Sequence, residues 1–259
     1  MKPFFERAGA AFAPGPHTRG PWSPDSMHGR LVAGLFAHVF EREHHEDPFH
    51  FARLTVDMFR LPRIAPVELT TEVIRSGRRI RVLSGAMTSE GREIARSTAV
   101  LLRRAEAPPG TVWTPAPWDA PHPDGLPVQE YENLDWTPMW ETRPIDGPTF
   151  GGAGRKRAWL REIHPLVAGE PLTPFVRVAG SADFASPIAN SGDQGLHYVN
   201  ADITLYLSRL PVDEWVGFEV ASHLAAEGIA IGDTTLYDPQ GPIGKSTVCA
   251  VANPREVAP

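Results

Sequence analysis

The sequence predicts an α+β fold in which two similar halves each wrap an antiparallel sheet around one long helix. The first observation is a repeat, because A-R-L-T-V-D-M-F-R-L-P around Thr55 returns as A-D-I-T-L-Y-L-S-R-L-P around Thr204, a shift of 149 residues. A period this long indicates a duplicated domain, since solenoid units span only about 20–50 residues. The second is an apolar helical segment in each half, followed by stretches whose apolar residues alternate. A helix that is apolar on every side needs a sheet around it to be buried.

The first half, residues 1–105, carries these elements in a simple order. Residues 4–13 alternate weakly and predict a short strand before Pro14. The long helix is expected to begin near Met27, with Ser26 as its N-cap, and to end near Glu43. Four strands follow, separated by turns of the Ser-Gly and Glu-Gly type, over residues 51–61, 67–75, 79–88 and 93–103.

Residues 106–148 differ from both halves in composition, since proline recurs ten times between positions 108 and 148. Proline at this density is excluded from ladders and helix interiors. Tryptophans stand between the prolines at positions 113, 118, 136 and 140, whereas disordered segments are poor in aromatic residues. We therefore expect an ordered linker that lies on the outside of the domains, and the alternative is a docking site for a proline-motif partner.

The second half, residues 149–259, repeats the order of elements. A strand rich in Arg and Lys is expected over residues 150–162. Thr173 before Pro174 is the pattern of an N-cap and a first helical turn, so we expect a helix from there to about Ala185, before Pro187. The remaining strands are predicted over residues 200–207, 215–225, 228–237 and 243–252.

Composition and motifs exclude several classes of protein. The net charge of −6 argues against a nucleic-acid partner, which normally requires a basic surface. The single cysteine excludes an intramolecular disulfide and a cysteine-based zinc cluster. No apolar run has the roughly 20 residues of a membrane span, and the N-terminus is a poor signal peptide, so we expect a cytoplasmic protein. Patterns typical of triad hydrolases, zincins and nucleotide-binding folds are missing.

The repeat serves as an internal control, because polar differences between the halves indicate function rather than fold. Gly34 in the first helix corresponds to Asp183 in the second. A buried acid near a helix C-terminus is either bonded to a neighbouring group or is a general base whose pKa is raised toward neutrality. Phe51 corresponds to Asn200, which is either a strand-entry residue or a group that orients a water or a carbonyl.

Three further positions are candidates with a plainer alternative. Cys249 corresponds to Val100, and a small buried hydrophobe is one account of it. Asp202 corresponds to Arg53 in the first half, and it is expected to cap its strand or to pair with a basic residue. The run Arg155-Lys156-Arg157 is either a solvated strand face or a contact for the phosphates of a small ligand.

The first half has its own acid–histidine pairs. Asp25 and His28 stand at the start of the helix, and Asp47 and His50 stand after its end. Either pair could serve a hydratase or dehydratase, which needs an acid and a histidine that converge on the substrate. The histidines at positions 44 and 45 are adjacent and point apart, so we expect no metal site.

The sequence resembles the double-hotdog acyl-CoA thioesterases of the bacterial thioesterase II type. The segments that carry the resemblance are S-A-D-F around Asp183, Y-V-N-A-D around Asn200, L-S-R at 207–209 with E-W at 214–215, S-T-V-C ending at Cys249, and H-G-R-L-V-A-G beginning at His28. The resemblance implies a tandem (double) hotdog fold. It also implies a site in which a helix Asp, a strand Thr or Ser, and a Gln on the last strand hold a water. Those positions fall on Asp183, Asn200 and Cys249 in this sequence.

We therefore expect an acyl-CoA thioesterase that hydrolyses its substrate with water activated by Asp183, helped by Asn200 and Cys249. Backbone N–H groups around His28 and Gly29 would receive the oxyanion, and Arg155 and Arg157 would meet the phosphates of CoA. No metal or organic cofactor is expected. The partner is the acyl-CoA substrate, and we expect a homo-oligomer of double-hotdog subunits. The alternatives are a non-catalytic acyl or acyl-CoA binding protein and an enoyl-CoA hydratase-like enzyme.

Overall fold

The computed structural model describes residues 2–114, 116–130 and 139–257. The first half contains β1 (Phe5–Ala8), β2 (Ala11–Pro14), α1 (Gly29–His44), β3 (Phe49–Met58), β4 (Val67–Ser76), β5 (Ile80–Ser89) and β6 (Arg92–Arg103). The rest contains β7 (Trp140–Pro144), β8 (Arg157–Glu162), α2 (Pro174–Ser181), α3 (Ala185–Asn190), β9 (Ser191–Gly192), β10 (Gly195–Asn200), β11 (Asp202–Leu207), β12 (Trp215–Ala226), β13 (Ile229–Asp238) and β14 (Gly241–Val257). Short 3₁₀ turns occupy Pro16–Thr18, Pro123–Gly125 and Ala182–Phe184.

Within the described residues the strands form one continuous sheet that passes through both halves. Its order is β1-β2-β4-β5-β6-β3-β11-β14-β13-β12-β8-β7, and β10 pairs with β14 and β9. The halves meet where β3 pairs antiparallel with β11, and Thr55 lies directly opposite Thr204. These two residues are also equivalent in the repeat, so the halves are related by a local two-fold axis between them. The duplicated sequence has therefore folded as a dimer-like arrangement within one chain.

Helix α1 lies inside the sheet, as its apolar sequence predicts, with a continuous buried stretch from Arg30 to Phe40. Its N-cap is His28, however, and not Ser26, because the helix begins two residues later than expected. The Ser26 hydroxyl instead donates to the Ser23 carbonyl at 3.0 Å and belongs to the preceding turn. This later start places a histidine at the helix entrance.

The helix of the second half is interrupted at Ala182–Phe184 and then continues to Asn190, beyond the predicted end at Ala185. Pro187 has no N–H with which to bond the carbonyl four residues earlier, so a regular α-helix cannot run through this point. The tighter 3₁₀ turn absorbs the break, and the Ala182 carbonyl accepts a hydrogen bond from the Ser246 hydroxyl at 2.8 Å. Asp183 lies in the middle of this turn.

The described part of the proline-rich segment packs on the second half. Trp118 stacks on Tyr237 with ring centroids 4.1 Å apart and meets Trp159 at 4.9 Å. A Cβ at Gly217 would come within 2.5 Å of the Trp118 ring, so only glycine at this position allows the ring to pack here. Trp140 is the first residue of β7, which pairs with β8, so the part of the sheet that belongs to the second half begins inside the segment that the sequence assigned to the linker. Trp136 lies outside the described residues.

The described part of the chain has no helix with the length and apolar character that a membrane crossing requires.

Candidate active site

A cleft of about 240 Å³ opens where the two halves meet, and it contains Asp183 and Asn200, two of the polar residues by which the repeats differ. The first half contributes the start of α1 and the end of β3, and the second half contributes the 3₁₀ turn and the end of β10. The lining residues are Trp22, Gly29, Met58–Pro62, Asp183, Val199, Asn200, Ala201 and Val251.

Asp183 is the acid of this cleft, and 4% of its surface is exposed. Asn200 donates from Nδ2 to the Asp183 Oδ1 atom at 2.9 Å, and the His28 Nδ1 atom lies 3.2 Å from Oδ2. Each carboxylate oxygen is therefore held by a different residue. The carboxylate is fixed in orientation and keeps further lone pairs directed at the cleft.

His28 is placed by its role at the start of α1. Its Nδ1 atom lies 3.3 Å from the backbone nitrogen of Arg30 as well as 3.2 Å from the Asp183 carboxylate. We assign the Nδ1 hydrogen to the carboxylate, because a hydrogen bond to a charged group is the stronger of the two. The ring also meets Trp140 edge-on at 5.3 Å. Packing against Trp140 and the position of His28 directly before the first helical residue together set the direction from which the imidazole approaches Asp183.

Gly29, the first residue of α1, brings the helix backbone against the acid. A Cβ at this position would lie 3.2 Å from both the Asp183 Oδ2 atom and the Met58 sulfur. Only glycine leaves that contact free of crowding. The carboxylate consequently lies beside the positive end of the α1 dipole, where negative charge is favoured.

The pKa of Asp183 is lowered, whereas the general-base hypothesis drawn from the sequence predicted a raised pKa. Burial does raise the pKa, but the hydrogen bond and electrostatic attraction of His28, the Asn200 bond and the charge of Arg30 together outweigh it. The expectation was wrong because it considered only the helix that carries Asp183. The groups that stabilise the anion come from α1 and β10, which are distant in the sequence.

Asn200 lies at the end of β10, where the strand stops before β11 begins. Its Nδ2 atom also donates to the Asp202 carbonyl at 3.2 Å, so the same amide holds the strand end and the carboxylate. The structure thus brings together four of the predicted site residues: His28, Gly29, Asp183 and Asn200.

Arg30, Trp140 and Met58 belong to this neighbourhood and were not predicted. Arg30 is fully buried, forms an ion pair with Glu162 and lies 4.6 Å from the Trp140 ring. Burial lowers its pKa to about 9, and the charge of Asp183 opposes that change. A charged residue in the first turn of an apolar helix was the signal that could have identified Arg30.

Cys249 does not belong to the lining of the cleft. On β14, Ser246, Val248 and Ala250 are buried against the helix side, so Cys249 points to the opposite face of the sheet, where it is exposed. Its backbone N–H donates to the Asp202 carboxylate at 2.6 Å. Partial shielding of the thiol from solvent, together with its interaction with Asp202, raises its pKa to about 11. The structure therefore disagrees with the expectation that Cys249 helps to hold the water, and with the alternative that it is buried.

The predicted phosphate contacts also lie elsewhere. Arg157 is buried between Asp119 and Asp146, with which it forms ion pairs. Arg155 donates from Nε to the Glu219 carboxylate at 2.8 Å. Neither residue lines the cleft that contains Asp183. Their carboxylate partners explain why these two arginines do not form a phosphate site in this cleft.

The acid–histidine pairs of a hydratase are not formed. The His50 Nε2 atom lies 3.1 Å from the Leu207 carbonyl oxygen, whereas the Asp47 carboxylate is exposed and lies 3.9 Å from Arg104. Asp25 lies on the wall of a separate surface hollow, with Arg19 and Arg63, while His28 meets Asp183. The histidine at the site is therefore partnered by the acid of the other half.

Comparisons with known proteins show the family of the chain. A model of the acyl-CoA thioesterase N-terminal domain matches residues 18–102, and a model of the acyl-CoA thioesterase C-terminal domain matches residues 107–248. No curated protein matches the chain.

Similar solved structures cover nearly the whole chain. A candidate thioesterase from Novosphingobium aromaticivorans is 23% identical, with a TM-score of 0.73, and the match covers 98% of this chain and 100% of that one. The tesB protein of Mycobacterium avium subspecies paratuberculosis is 16% identical, with a TM-score of 0.69 and 96% of both chains covered. A hot dog fold protein from Alicyclobacillus acidocaldarius is 16% identical, with a TM-score of 0.76, and covers 97% of this chain and 96% of its own.

These likenesses confirm the predicted tandem hotdog fold. The C-terminal domain model alone spans more than half of the sequence, and the N-terminal domain model accounts for most of the remainder. The chain therefore belongs to the acyl-CoA thioesterase family and is a thioester hydrolase.

Proposed function

We propose that this protein hydrolyses an acyl-CoA to a free acid and CoA, with Asp183 as the general base that activates water. The observation that carries the proposal is the carboxylate itself, which lines an open cleft and is held by two donors, His28 and Asn200. A carboxylate fixed in this way is ionised at neutral pH, so it is ready to accept a proton.

The lowered pKa makes Asp183 a weaker base than a carboxylate whose pKa is raised toward neutrality. The loss in basicity is offset by position, because a water held against a fixed carboxylate needs little reorganisation to attack. Asn200 keeps the carboxylate oriented through Nδ2, and its own carbonyl oxygen is a second acceptor for the same water.

The reaction conserves atoms and charge in two steps. The water oxygen attacks the thioester carbon while one of its protons passes to the Asp183 carboxylate, which gives a tetrahedral oxyanion. Collapse of that intermediate breaks the carbon–sulfur bond, and the proton leaves with the thiol of CoA. We place the oxyanion at the backbone N–H of Gly29, the first residue of α1, since the positive end of a helix stabilises such a charge.

The CoA moiety is proposed to lie along the part of the cleft formed by Met58–Pro62. Arg60, on this segment, is exposed and lines the cleft, so its guanidinium is suited to the phosphates. This assignment replaces the earlier expectation for Arg155 and Arg157, which are paired with carboxylates.

Replacement of the base tests the mechanism directly. Asp183→Asn should lower kcat for acyl-CoA hydrolysis by about 10²–10⁴-fold, the usual contribution of a general base. Release of free thiol from a panel of acyl-CoAs of different chain length measures the rate. The matched control is Asp233→Asn, since the Asp233 carboxylate bonds Lys245 and Thr247 outside the cleft.

Undiminished hydrolysis by Asp183→Asn would remove Asp183 from the role of base. Acyl-CoA binding without turnover by the unaltered protein would favour a non-catalytic binding role instead. The homo-oligomer of double-hotdog subunits stays a prediction, and light scattering of the purified protein would test it.

A further inference from the structure

A second and larger cavity, of about 420 Å³, lies beyond the C-terminal end of α3, and no step of the reaction above uses it. Its walls come from the loop before β8, the end of α3, β9, the start of β10 and the middle of β12. The lining residues are Gly152–Lys156, Ile188–Gly195, His197, Tyr198, Val220 and His223. Its volume falls within the range of about 300–1,000 Å³ that is usual for small-molecule sites.

Lys156 places a positive charge in this cavity without an acidic partner. The residue is 7% exposed, and its ammonium donates to the Ser191 carbonyl and lies 3.2 Å from the Ser191 hydroxyl. No carboxylate oxygen in the described part of the chain lies within 4.0 Å of it. A carbonyl at a helix end satisfies one N–H of the ammonium but does not neutralise its charge. Burial also lowers the pKa of Lys156, because it removes water from around the charged form.

Asn190, the last residue of α3, supplies a second and independent indication of a ligand. The residue is 5% exposed, and both its Nδ2 and Oδ1 atoms are buried without a hydrogen-bond partner among the described residues. A buried amide that makes no hydrogen bond costs about 1–3 kcal/mol for each unsatisfied group. An incoming molecule that bonds the amide would recover that energy.

The cavity lies close to the reacting carboxylate. Asn190 follows Asp183 by seven residues, which corresponds to about 10 Å along a helix. Tyr198 lines the cavity and Asn200 lines the cleft, and these residues are two apart on the same face of β10, a spacing of about 7 Å. A short chain attached to the thioester carbon can span this distance.

We propose that this cavity is an anion subsite of the enzyme, where Lys156 and Asn190 bind a carboxylate or phosphate group of the thioester substrate. Lys156 supplies the charge, and Asn190 donates from Nδ2 to the same oxygen. The proposal rests on the proposed function. The short distance to Asp183 favours a carboxylate at the far end of the acyl group over the phosphates of CoA, which the pantetheine arm holds farther from the thioester.

Kinetics with matched substrates tests the subsite. Glutaryl-CoA and pentanoyl-CoA have acyl chains of equal length and differ in the terminal carboxylate, whereas S-pentanoyl-pantetheine lacks the CoA phosphates. Lys156→Met should reduce the preference for glutaryl-CoA over pentanoyl-CoA by about tenfold or more, the usual effect of losing a charged hydrogen bond. Lys245→Met is the matched control, because Lys245 is exposed and bonds Asp233 outside the cavity.

Two ratios distinguish the acyl end from the CoA phosphates as the source of the anion: that of glutaryl-CoA to pentanoyl-CoA, and that of pentanoyl-CoA to S-pentanoyl-pantetheine. A loss confined to glutaryl-CoA supports the subsite and assigns it to the acyl end. A KM increase for pentanoyl-CoA, with S-pentanoyl-pantetheine unchanged, supports the subsite and assigns it to the phosphates. If neither ratio differs between Lys156→Met and the unaltered enzyme, the subsite is wrong.

A binding measurement, which needs no turnover, tests the subsite separately from the proposed role of Asp183 in catalysis. It uses a variant that is expected to keep the fold. Asn190→Asp places a carboxylate beside Lys156, so it should fold and should mimic the bound anion. Calorimetric titration of glutarate and of CoA into the unaltered protein should show binding of at least one, and Asn190→Asp should abolish that binding even if no thioester is hydrolysed. Failure of both ligands to bind would overturn the subsite and leave the role of Asp183 untouched.

Discussion

Equivalent positions in the two halves have become a cleft in one place and packed core in the other. The second half has Asp183 and Asn200 beside a cleft of about 240 Å³. At the counterpart positions of the first half, Phe51 stacks on Phe175 with centroids 4.2 Å apart, and a Cβ at Gly34 would meet Leu166 at 3.4 Å. The space beside Gly34 amounts to only about 10 Å³.

The helix starts explain part of this difference. Under the repeat shift of 149 residues, Pro174 at the start of α2 falls on Asp25, whereas α1 begins four residues later, at Gly29. The additional turn of α2 carries Phe175 onto Phe51 and fills the space. The missing turn of α1 leaves room for a substrate and puts His28 at the helix entrance. The later start of α1 therefore contributes to the cleft together with the change of side chains.

The first prediction transfers the acid to the packed half. Gly34→Asp should lower the free energy of unfolding by about 3–5 kcal/mol, the usual cost of a buried charge without a partner. The positions equivalent to His28 and Asn200 are Arg177 and Phe51, and Arg177 is directed toward Glu214 at 3.8 Å. Urea unfolding measures the change, with Gly34→Ala as the control for the added Cβ. A Gly34→Asp protein as stable as Gly34→Ala would show that the first half retains a hidden site.

The second prediction converts the cleft toward the packed half. Asn200→Phe copies the residue of the first half, removes the donor to Asp183 and fills the cleft with an aromatic ring. We expect kcat/KM to fall by at least about 10²-fold, as for removal of one positioned donor, while the circular dichroism spectrum stays unchanged. Retention of more than a tenth of the activity would mean that the amide takes no part in holding the carboxylate or the water.

The third prediction concerns pH, through the histidine that only the cleft has. Asp183 has a lowered pKa in the folded protein, so its stabilising effect is present above the unfolded pKa and is lost as the pH falls through the folded one. Activity should share that acid limit, because only the ionised carboxylate accepts a proton. His28→Leu removes the largest of the groups that lower the pKa, so the acid limb of the kcat/KM profile should move to higher pH. An unmoved limb would show that Asp183 is not the titrating group.

The sequence predicted those features of the site that have an equivalent position in the other half. Thr55 and Thr204 revealed the duplication, and the pairing of β3 with β11 followed the same symmetry. Asp183 and Asn200 were found because Gly34 and Phe51 provided a contrast. The lowered pKa of Asp183 was missed, since the groups around it lie on other elements of the fold. Trp140 was missed because it stands in a segment that has no repeat partner with which to be compared.

Replacement of Cys249 has the smallest expected effect on activity. It also shows that a matching position in a family pattern does not by itself place a side chain in the site. Its place in S-T-V-C assigned it to the site, yet the two-residue period of a strand, with Ser246 and Val248 facing the helix, already turns Cys249 to the outer face. Cys249→Ala should therefore change kcat and KM less than twofold, while Asn200→Phe, at another position of the family pattern, should be almost inactive. Both variants assayed on one acyl-CoA make the test internal. A tenfold loss in Cys249→Ala alone would place the outer face of β14 within the reacting site, and the cleft between the halves would no longer account for hydrolysis by itself.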